Sequence, residues 1–342
     1  MQGDEGGCVR YIVLNISDNM FLMPLPLPLV SVIIPVRNCR DYIHEAIDSV
    51  LGQDYTNLEI IVIDDGSDDY QYSELQKADR RIAVHRLSGM GVSHARNIAM
   101  TLAKGSYFVF LDADDIWFPG KLIAQVNYCE RHPQVGCVFG DFAKWERDAA
   151  GQFPRSSLLA TDCRALTENE PARSGWIYTR LLMGQLVGMN TAMIRREVFE
   201  QLGGFDETMR IGEDYLFWLK VSRVFEMHAL AGTIALYRIH ESSAMGRLDK
   251  PNHLAIMLKT AVSRWGLSNP DGSHLDQDEF NTRLAATEFA HGYKHFWHGS
   301  ATVARRSLFN SLRSGFLPGR SLLYLVLLPF RRLLPLLRNR SP

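Results

Sequence analysis

A run of aromatic and β-branched residues in the first third of the chain ends in a cluster of aspartates. The run spans residues 105–111, and Asp112, Asp114 and Asp115 follow it. Such a run predicts a buried strand that ends at the edge of a sheet. In an extended chain, Asp112 and Asp114 would point to the same side, where close carboxylates repel unless a cation lies between them or one is protonated. Magnesium and manganese prefer oxygen ligands of this kind.

The same residues have a simpler interpretation as a solvated acidic turn, with Asp115 as the N-cap of a following helix. Short patterns such as Asp-x-Asp also arise by chance. The elements around the motif must therefore decide between a metal site and a polar turn.

The surrounding sequence alternates between strand-like and helix-like patterns. Strands are predicted at residues 30–35, 58–63, 82–85 and 105–112, and helices at residues 43–51 and 93–102. Alternation of this kind predicts βαβ units and a mostly parallel sheet, with ligands beyond the carboxyl ends of the strands. Asp64 and Asp65 end the second predicted strand, as Asp112 and Asp114 end the fourth. Four carboxylates at one edge of a sheet indicate a binding site.

Composition places the chain among ordinary globular proteins. Its 342 residues include 46% hydrophobic and 22% charged residues, enough for one large α/β domain with an appendage, or for two domains. The five cysteines are odd in number and contain no Cys-x-x-Cys pair, which favours a reducing compartment over disulfides or a zinc site. No apolar run reaches the ~20 residues that span a bilayer.

Residues 1–28 fit this pattern poorly. Pro24, Pro26 and Pro28 disfavour a helix, and the segment lacks the features of a signal peptide. We expect an irregular, extended lead-in, with Met23 as the natural start.

Six short motifs occur in order between the first predicted strand and residue 245. They read VIIPVRN (32–38), IVIDDGS (61–67), LDADD (111–115), LGGFDE (202–207), GED (212–214) and YRIH (237–240). Together they resemble the family 2 glycosyltransferases, which are inverting enzymes with a GT-A fold. The resemblance implies a Rossmann-like α/β domain over residues 29–245, with a mostly parallel, mixed sheet flanked by helices.

The resemblance also implies a nucleotide-sugar donor, with UDP as the expected nucleotide, and a divalent metal, Mn or Mg. Asp112 and Asp114 would hold the metal against the diphosphate. The residues expected to bind the donor itself are Pro35, Arg37, Asp64, Asp65, Arg96 and Asp112. Among them, Asp65 is similar to the residue that reads uracil, and Arg96 would lie near the diphosphate.

Inversion requires a general base for the acceptor hydroxyl, and the GED motif offers two carboxylates. We expect Asp214 to be the base, because the first turn of a helix stabilises an anion. Glu213 is the alternative base and is expected to orient or contact the acceptor. Asn190 would also contact the acceptor, from an edge strand at residues 188–194. His240 is expected either to bind the metal or to touch the diphosphate.

Both acids of the GED motif also have a purely structural interpretation. Asp and Glu are common in the first turn of helices, where they complement the helix dipole.

The C-terminal part of the chain divides into a helical region, residues 246–315, and a basic amphipathic tail, residues 316–342. From Phe289 onward the chain carries nine Lys and Arg residues and no Asp or Glu. Leucines beside arginines predict a segment that lies on an anionic membrane surface rather than one that binds nucleic acid. The alternative is a helix packed on the catalytic domain.

The sequence therefore predicts an inverting glycosyltransferase that adds one sugar to a hydroxyl of a lipid-linked or growing surface glycan. Its expected location is cytoplasmic, peripheral on the inner face of the plasma membrane. Processive synthases of the family carry Gln-x-x-Arg-Trp, but Ala261 precedes Arg264 and Trp265 here, so a single addition is expected. A nucleotidyltransferase and a catalytically inactive sugar-nucleotide-binding protein remain alternatives.

Overall fold

The computed structural model describes residues 10–16, 19–209, 211–240 and 248–331. The chain forms two compact units. The first comprises Met1–Ile177 and Leu186–Ile239, and the second comprises Tyr178–Gln185 and His240–Pro342.

An antiparallel hairpin precedes the first unit's sheet, where the sequence predicted an irregular lead-in. Its strands are β1, Arg10–Ile16, and β2, Asn19–Leu25. Pro24 pairs with Tyr11 near the open end of this two-stranded ribbon. Both strands of such a ribbon are edge strands, where a proline is tolerated. The three prolines therefore exclude a helix here but not a strand.

Eight strands build the sheet of the first unit. They are β3 (Val30–Val36), β4 (Leu58–Asp64), β5 (Ile82–Arg86), β6 (Tyr107–Phe110), β7 (Ile116–Trp117), β8 (Val135–Trp145), β9 (Met193–Arg195) and β10 (Glu226–Arg238). Their order across the sheet is β5-β4-β3-β6-β9-β8-β10-β7. Strands β5, β4, β3 and β6 are mutually parallel, as are β8 and β10, whereas β9 and β7 run antiparallel to their neighbours. The prediction of a mostly parallel, mixed sheet is confirmed.

Among the described residues, five helices belong to the first unit. They are α1 (Ile43–Leu51), α2 (Val92–Leu102), α3 (Lys121–Arg131), α5 (Arg196–Leu202) and α6 (Glu213–Val221), whereas α4 (Tyr178–Met183) belongs to the second unit. Every residue of β3 is buried, as expected for a parallel strand covered on both faces. β6 pairs only with Val30–Ile33, so Pro35 lies beyond this ladder, where its missing N–H costs no hydrogen bond to β6.

The edge strand predicted at residues 188–194 is wrong. Met189–Thr191 form a 3-10 turn, and β9 follows it in the middle of the sheet, between β6 and β8. Met193 and Ile194 are fully buried there. Three residues are too few to display a strand pattern, so the sequence did not reveal the antiparallel insertion.

The second unit is helical, which confirms the predicted C-terminal helical extension. Besides α4 it contains α7 (His253–Trp265), α8 (Gln277–His298), α9 (Ala301–Arg313) and α10 (Pro318–Leu327). Thr179 N–H donates to Asn269 Oδ1 at 3.0 Å, and the Tyr178 hydroxyl donates to the Gly266 carbonyl at 3.0 Å. These bonds attach α4 to the end of α7. Among the described helices, none combines the length and hydrophobicity that crossing a membrane would require.

Candidate active site

The aspartates after β6 lie in a tight turn rather than on an extended strand. The Asp115 N–H donates to the Asp112 carbonyl at 3.0 Å, which closes a β-turn over the four residues. The predicted alternation of Asp112 and Asp114 to one side therefore does not apply. Asp115 is not a helix N-cap either, because the next helix, α3, begins only at Lys121.

Asp115 anchors this turn from inside the protein. It is fully buried, and its two oxygens accept hydrogen bonds from Asn190 Nδ2 at 2.7 Å and from the Arg238 N–H at 2.9 Å. Burial, together with the negative charges of Asp114 and Asp112, raises the pKa of Asp115 well above its ordinary value. Asn190 is thus a buried partner of the turn, and its contact with an acceptor stays a prediction.

Arg238, which the sequence did not single out, holds the same turn from β10. Its Nε donates to the Asp114 carbonyl at 2.7 Å, and Nη2 donates to Glu45 at 2.6 Å. The guanidinium also lies over the Trp145 ring, 3.9 Å from its centroid. Arg238 belongs to the YRIH motif, but its partners are far away in sequence, so spacing could not reveal them.

Arg96 connects the aspartate turn to α6. Its Nη2 donates to Asp112 Oδ1 at 2.7 Å, and its Nη1 donates to Glu213 Oε1 at 3.1 Å. Only 5% of the Arg96 side chain is exposed, compared with 31% for Asp112. The LDADD and GED motifs, far apart in sequence, therefore share one buried guanidinium. The predicted diphosphate contact of Arg96 stays a prediction.

The first turn of α6 presents both predicted catalytic acids. The helix follows Gly212, whose φ of 80° allows the sharp entry. Asp214 Oδ1 accepts a hydrogen bond from the Tyr215 N–H at 2.7 Å. Behind these acids, Phe217, Trp218 and Leu219 are buried, which fixes the helix backbone.

Burial dominates the electrostatics of these two acids. It raises the pKa of Asp214 and of Glu213, although the Arg96 charge opposes the shift at both. The sequence predicted that the helix terminus would favour the anion of Asp214. Desolvation outweighs that effect, so Asp214 is a stronger base than an exposed aspartate.

Asp64 and Asp65 organise the loops beyond β4. Asp64 accepts hydrogen bonds from the Ser67 N–H at 2.8 Å and from Arg86 Nη1 at 2.6 Å. Asp65 accepts from the N–H groups of Met90 and Gly91, both at 2.8 Å. Both carboxylates therefore have structural partners, and their donor contacts stay predictions.

The remaining predicted donor residues lie at the same edge of the sheet. Pro35 is the penultimate residue of β3 and pairs with Ile63 on β4. Arg37 follows β3, with 59% of its side chain exposed and Nη1 4.0 Å from Asp65 Oδ2. The structure thus brings Pro35, Arg37, Asp64 and Asp65 together at the carboxyl ends of two adjacent strands.

His240 lies outside the first unit. It falls two residues after β10, in the second unit. Residues 241–247 lie outside the described residues. The metal role of His240 stays a prediction.

The metal role of Asp112 and Asp114 stays a prediction, and it calls for a magnesium or manganese ion that is held jointly with a substrate. Within the described residues, no group of three or more His, Cys, Asp or Glu side chains is arranged to hold a metal. Such ions usually need only one or two carboxylates together with substrate phosphates and water. Asp112 is partly exposed, as this arrangement requires.

The chain belongs to a known enzyme family. The sequence profile of glycosyl transferase family 2 matches residues 31–203, half of the chain. The match covers the strands from β3 to β9 and ends one residue after α5. The resemblance noted from the motifs is confirmed.

Curated relatives support this membership. The chain is 34% identical over 221 residues to the putative teichuronic acid biosynthesis glycosyltransferase TuaG of Bacillus subtilis, covering 63% of this chain and 81% of that protein. It is 40% identical over 104 residues to the UDP-Glc:alpha-D-GlcNAc-diphosphoundecaprenol beta-1,3-glucosyltransferase WfaP of Escherichia coli, covering 30% of this chain and 41% of that protein. The chain spans 32% and 36% of two uncharacterized Rickettsia glycosyltransferases, from R. bellii and R. felis.

Solved structures share the fold. Residues 1–349 of S. aureus TarS in complex with UDP-GlcNAc align with a TM-score of 0.61 at 19% identity, covering 89% of this chain and 87% of that one. The mannosyltransferase PcManGT of Pyrobaculum calidifontis, in complex with GDP-Man and Mn²⁺, aligns with a TM-score of 0.53 at 20% identity, covering 92% and 88%. The predicted GT-A fold is confirmed.

Replacing Arg96 with methionine should destabilise the protein strongly, because it leaves the Glu213 and Asp112 carboxylates without their shared cation. Loss of one partner from a buried ion pair costs about 3 kcal/mol. The measurement is the free energy of unfolding in urea. Arg80→Met, at an exposed arginine, is the matched control and should change it little. Equal effects of the two substitutions would contradict the structural role of Arg96.

Proposed function

We propose that the protein transfers one sugar from a nucleotide-sugar donor to a hydroxyl of an acceptor glycan, with inversion at the anomeric carbon. The observation that carries this proposal is the Arg96 bridge, in which Asp112 and Glu213 bind the same guanidinium. The aspartate turn, Asp112–Asp115, and the two acids of α6 consequently face one another across this guanidinium. Membership of glycosyl transferase family 2 supports sugar transfer over nucleotidyl transfer.

The proposed donor is a UDP-sugar. The TarS structure with UDP-GlcNAc and the UDP-Glc specificity in the name of WfaP support this choice. Pro35, Asp64 and Asp65 would contact the base and ribose from the ends of β3 and β4, with Arg37 beside them. Arg96 would stand next to the diphosphate.

Asp112 and Asp114 would hold a divalent metal. When bound, a manganese or magnesium ion supplies positive charge that stabilises the departing nucleoside diphosphate. The Mn²⁺ in the PcManGT complex supports this assignment. Arg238 and Asp115 hold the turn in place, because Arg238 Nε donates to the Asp114 carbonyl and the buried Asp115 carboxylate accepts from the Arg238 N–H.

Asp214 would act as the general base. It accepts the proton of the acceptor hydroxyl while that oxygen forms a bond to C1 of the donor sugar and the C1–O bond to the diphosphate breaks. The raised pKa of Asp214 makes it a better proton acceptor. Glu213, held by Arg96, would orient the acceptor.

The proposed acceptor is a lipid-linked or growing surface glycan. TuaG is named for teichuronic acid biosynthesis, and WfaP for a diphosphoundecaprenol-linked substrate. An acceptor of this kind is presented at a membrane, so the enzyme needs access to a lipid surface.

An anionic membrane surface is the proposed partner of α10. Its apolar side chains Leu322, Leu323 and Val326 are 53%, 52% and 61% exposed, and Phe330 just beyond the helix is 57% exposed. The surrounding region, from Phe289 to the end of the chain, is basic and without acidic residues. Apolar side chains beside arginines favour the interface of an anionic leaflet. The predicted tail beyond Arg331 lies outside the described residues.

Asp214→Asn should abolish transfer and leave the protein folded. Loss of a general base lowers the rate at least about 100-fold. Since the pKa of Asp214 is higher in the folded protein than in the unfolded chain, its ionisation at neutral pH lowers the free energy of unfolding. The amide does not ionise, so the variant should be as stable as the wild type or more stable at pH 7.5. The free energy of unfolding of the wild type should approach that of the variant as the pH falls through the folded pKa of Asp214.

The measurements are UDP release with UDP-sugars and a GlcNAc-diphosphate-lipid acceptor, and urea unfolding as a function of pH. Asp278→Asn, in the exposed first turn of α8, is the matched control. Full transfer by Asp214→Asn would refute the assignment of the base. UDP-sugar binding by a wild-type protein that has no transfer activity would favour an inactive binding protein.

Removing divalent cations should stop transfer, because Asp112 and Asp114 would then face the diphosphate with uncompensated negative charge. Chelation with EDTA is expected to abolish activity, and added Mn²⁺ or Mg²⁺ to restore it. Asp112→Asn should raise the Mn²⁺ concentration for half-maximal activity at least about tenfold, whereas Asp48→Asn, at an exposed position on α1, should not. Full activity in EDTA would rule out the metal proposal.

Charges on the apolar face of α10 should release the protein from anionic vesicles. The double variant Leu322→Asp/Val326→Asp is expected to bind phosphatidylglycerol-rich vesicles at least about tenfold more weakly, since it removes two apolar anchors. Co-sedimentation measures the binding, with phosphatidylcholine vesicles for comparison. Val224→Asp, at an exposed apolar residue of the first unit, is the control. Unchanged sedimentation of the double variant would contradict the α10 proposal.

A further inference from the structure

Two aromatic side chains, the exposed Phe142 and the half-buried Tyr237, form a pair on neighbouring strands of the first unit. The ring centroids of Phe142 on β8 and Tyr237 on β10 are 5.5 Å apart. Phe142 pairs with Ala235 and Tyr237 with Lys144, so the two rings lie on the same face of the sheet, diagonally across the parallel pair. Phe142 is 40% exposed, although it belongs to a strand that begins fully buried.

Tyr237 directly precedes Arg238, which binds Asp115 and the Asp114 carbonyl. Burial and the negative charges of Asp115, Asp114, Asp112 and Asp214 raise the pKa of Tyr237 to about 12. The Tyr237 hydroxyl therefore stays protonated and lies within the field of both the aspartate turn and α6.

The Phe142 ring packs against Gly188, close to Asn190. A Cβ atom on Gly188 would lie 2.9 Å from Phe142 Cδ1 and 3.3 Å from Asn190 Oδ1. The Phe142 ring thus packs against bare backbone, next to the asparagine that binds Asp115. A side chain at residue 188 would displace the ring.

Single exposed apolar residues are common and need no explanation. This pair is different, because both of its members adjoin residues that bind Asp115: Phe142 lies next to Asn190, and Tyr237 directly precedes Arg238. An aromatic ring with a negative π face binds polarised C–H groups, and a polar handle such as the tyrosine hydroxyl suits a wet site. A pyranose ring offers both complements: C–H groups on one face and hydroxyls around its edge.

We propose that Phe142 and Tyr237 form a stacking platform for the pyranose ring of a sugar bound in the active site. This inference rests on the proposed function. The C–H face of the ring would lie on the aromatic pair, with its hydroxyls toward the carboxylates. The same chemistry is offered by the donor sugar and by the terminal sugar of the acceptor.

The test measures how three probes bind to the purified full chain. The probes are UDP, the UDP-sugar that binds best among UDP-glucose, UDP-galactose and UDP-GlcNAc, and a water-soluble alkyl diphosphate of GlcNAc. Phe142→Ala should lower the affinity for one of the two sugar-bearing probes about fivefold, as expected for loss of an aromatic contact. The affinity for UDP, which lacks the pyranose ring of the UDP-sugars, is the internal reference.

Two further variants separate stacking from folding. Phe142→Trp keeps an aromatic face and should retain the affinity for the sugar-bearing probe. Gly188→Ala displaces the Phe142 ring and should lower that affinity. Leu102→Ala, at a residue of α2 that is also 40% exposed, controls for truncation of an exposed apolar side chain. A thermal melt of each variant confirms that it is folded.

The outcomes are distinct. Weaker binding of the UDP-sugar, with UDP unchanged, assigns the platform to the donor sugar. Weaker binding of the GlcNAc diphosphate alone assigns it to the acceptor. Unchanged affinity of folded Phe142→Ala for both sugar probes overturns the platform, while a wild type that binds none of the three probes overturns the proposed function instead.

Discussion

The arrangement of the site depends on one buried guanidinium. Arg96 reaches from α2 to Asp112 on one side and Glu213 on the other. Without this cation, the carboxylates of Asp112 and Glu213, which are far apart in sequence, would repel each other. Arg96 makes their proximity favourable and so places the first turn of α6 opposite the aspartate turn. An inverting transferase needs this relation, since base and leaving group act on opposite faces of one carbon.

A second, deeper network gives the turn its rigidity. Asp115 receives hydrogen bonds from Asn190 and from the backbone of Arg238, while the Arg238 side chain binds the Asp114 carbonyl. Hydrogen-bond donors of this kind lower the cost of burying a carboxyl group. The turn can then present Asp112 toward solvent without moving. Asp115 is buried and holds the turn, whereas Asp112 is partly exposed, as the proposed metal site requires.

Local pattern predicted most of the parallel half of the sheet, because β3 and β4 are mostly apolar runs, and β4 ends at Asp64. The sequence pattern failed where strand pairing and side-chain contacts join residues that are far apart in the chain. The three residues of β9 carry no pattern of their own, and the contacts of Arg238 join positions on different strands. The motif order predicted which residues would gather, as Asp112 and Glu213 do. It left open whether Asp112–Asp115 would continue the strand or form a turn, since an acidic run is compatible with several backbone shapes.

The central claim is that a cation bound at Asp112 faces α6 within one cleft. Paramagnetic relaxation measures this directly, because Mn²⁺ broadens the amide NMR signals of residues near it. With UDP present, Mn²⁺ should erase the signals of Ala113 and Tyr215 together, whereas diamagnetic Mg²⁺ with UDP should leave both visible. Loss of the Ala113 signal while that of Tyr215 stays sharp would contradict the account.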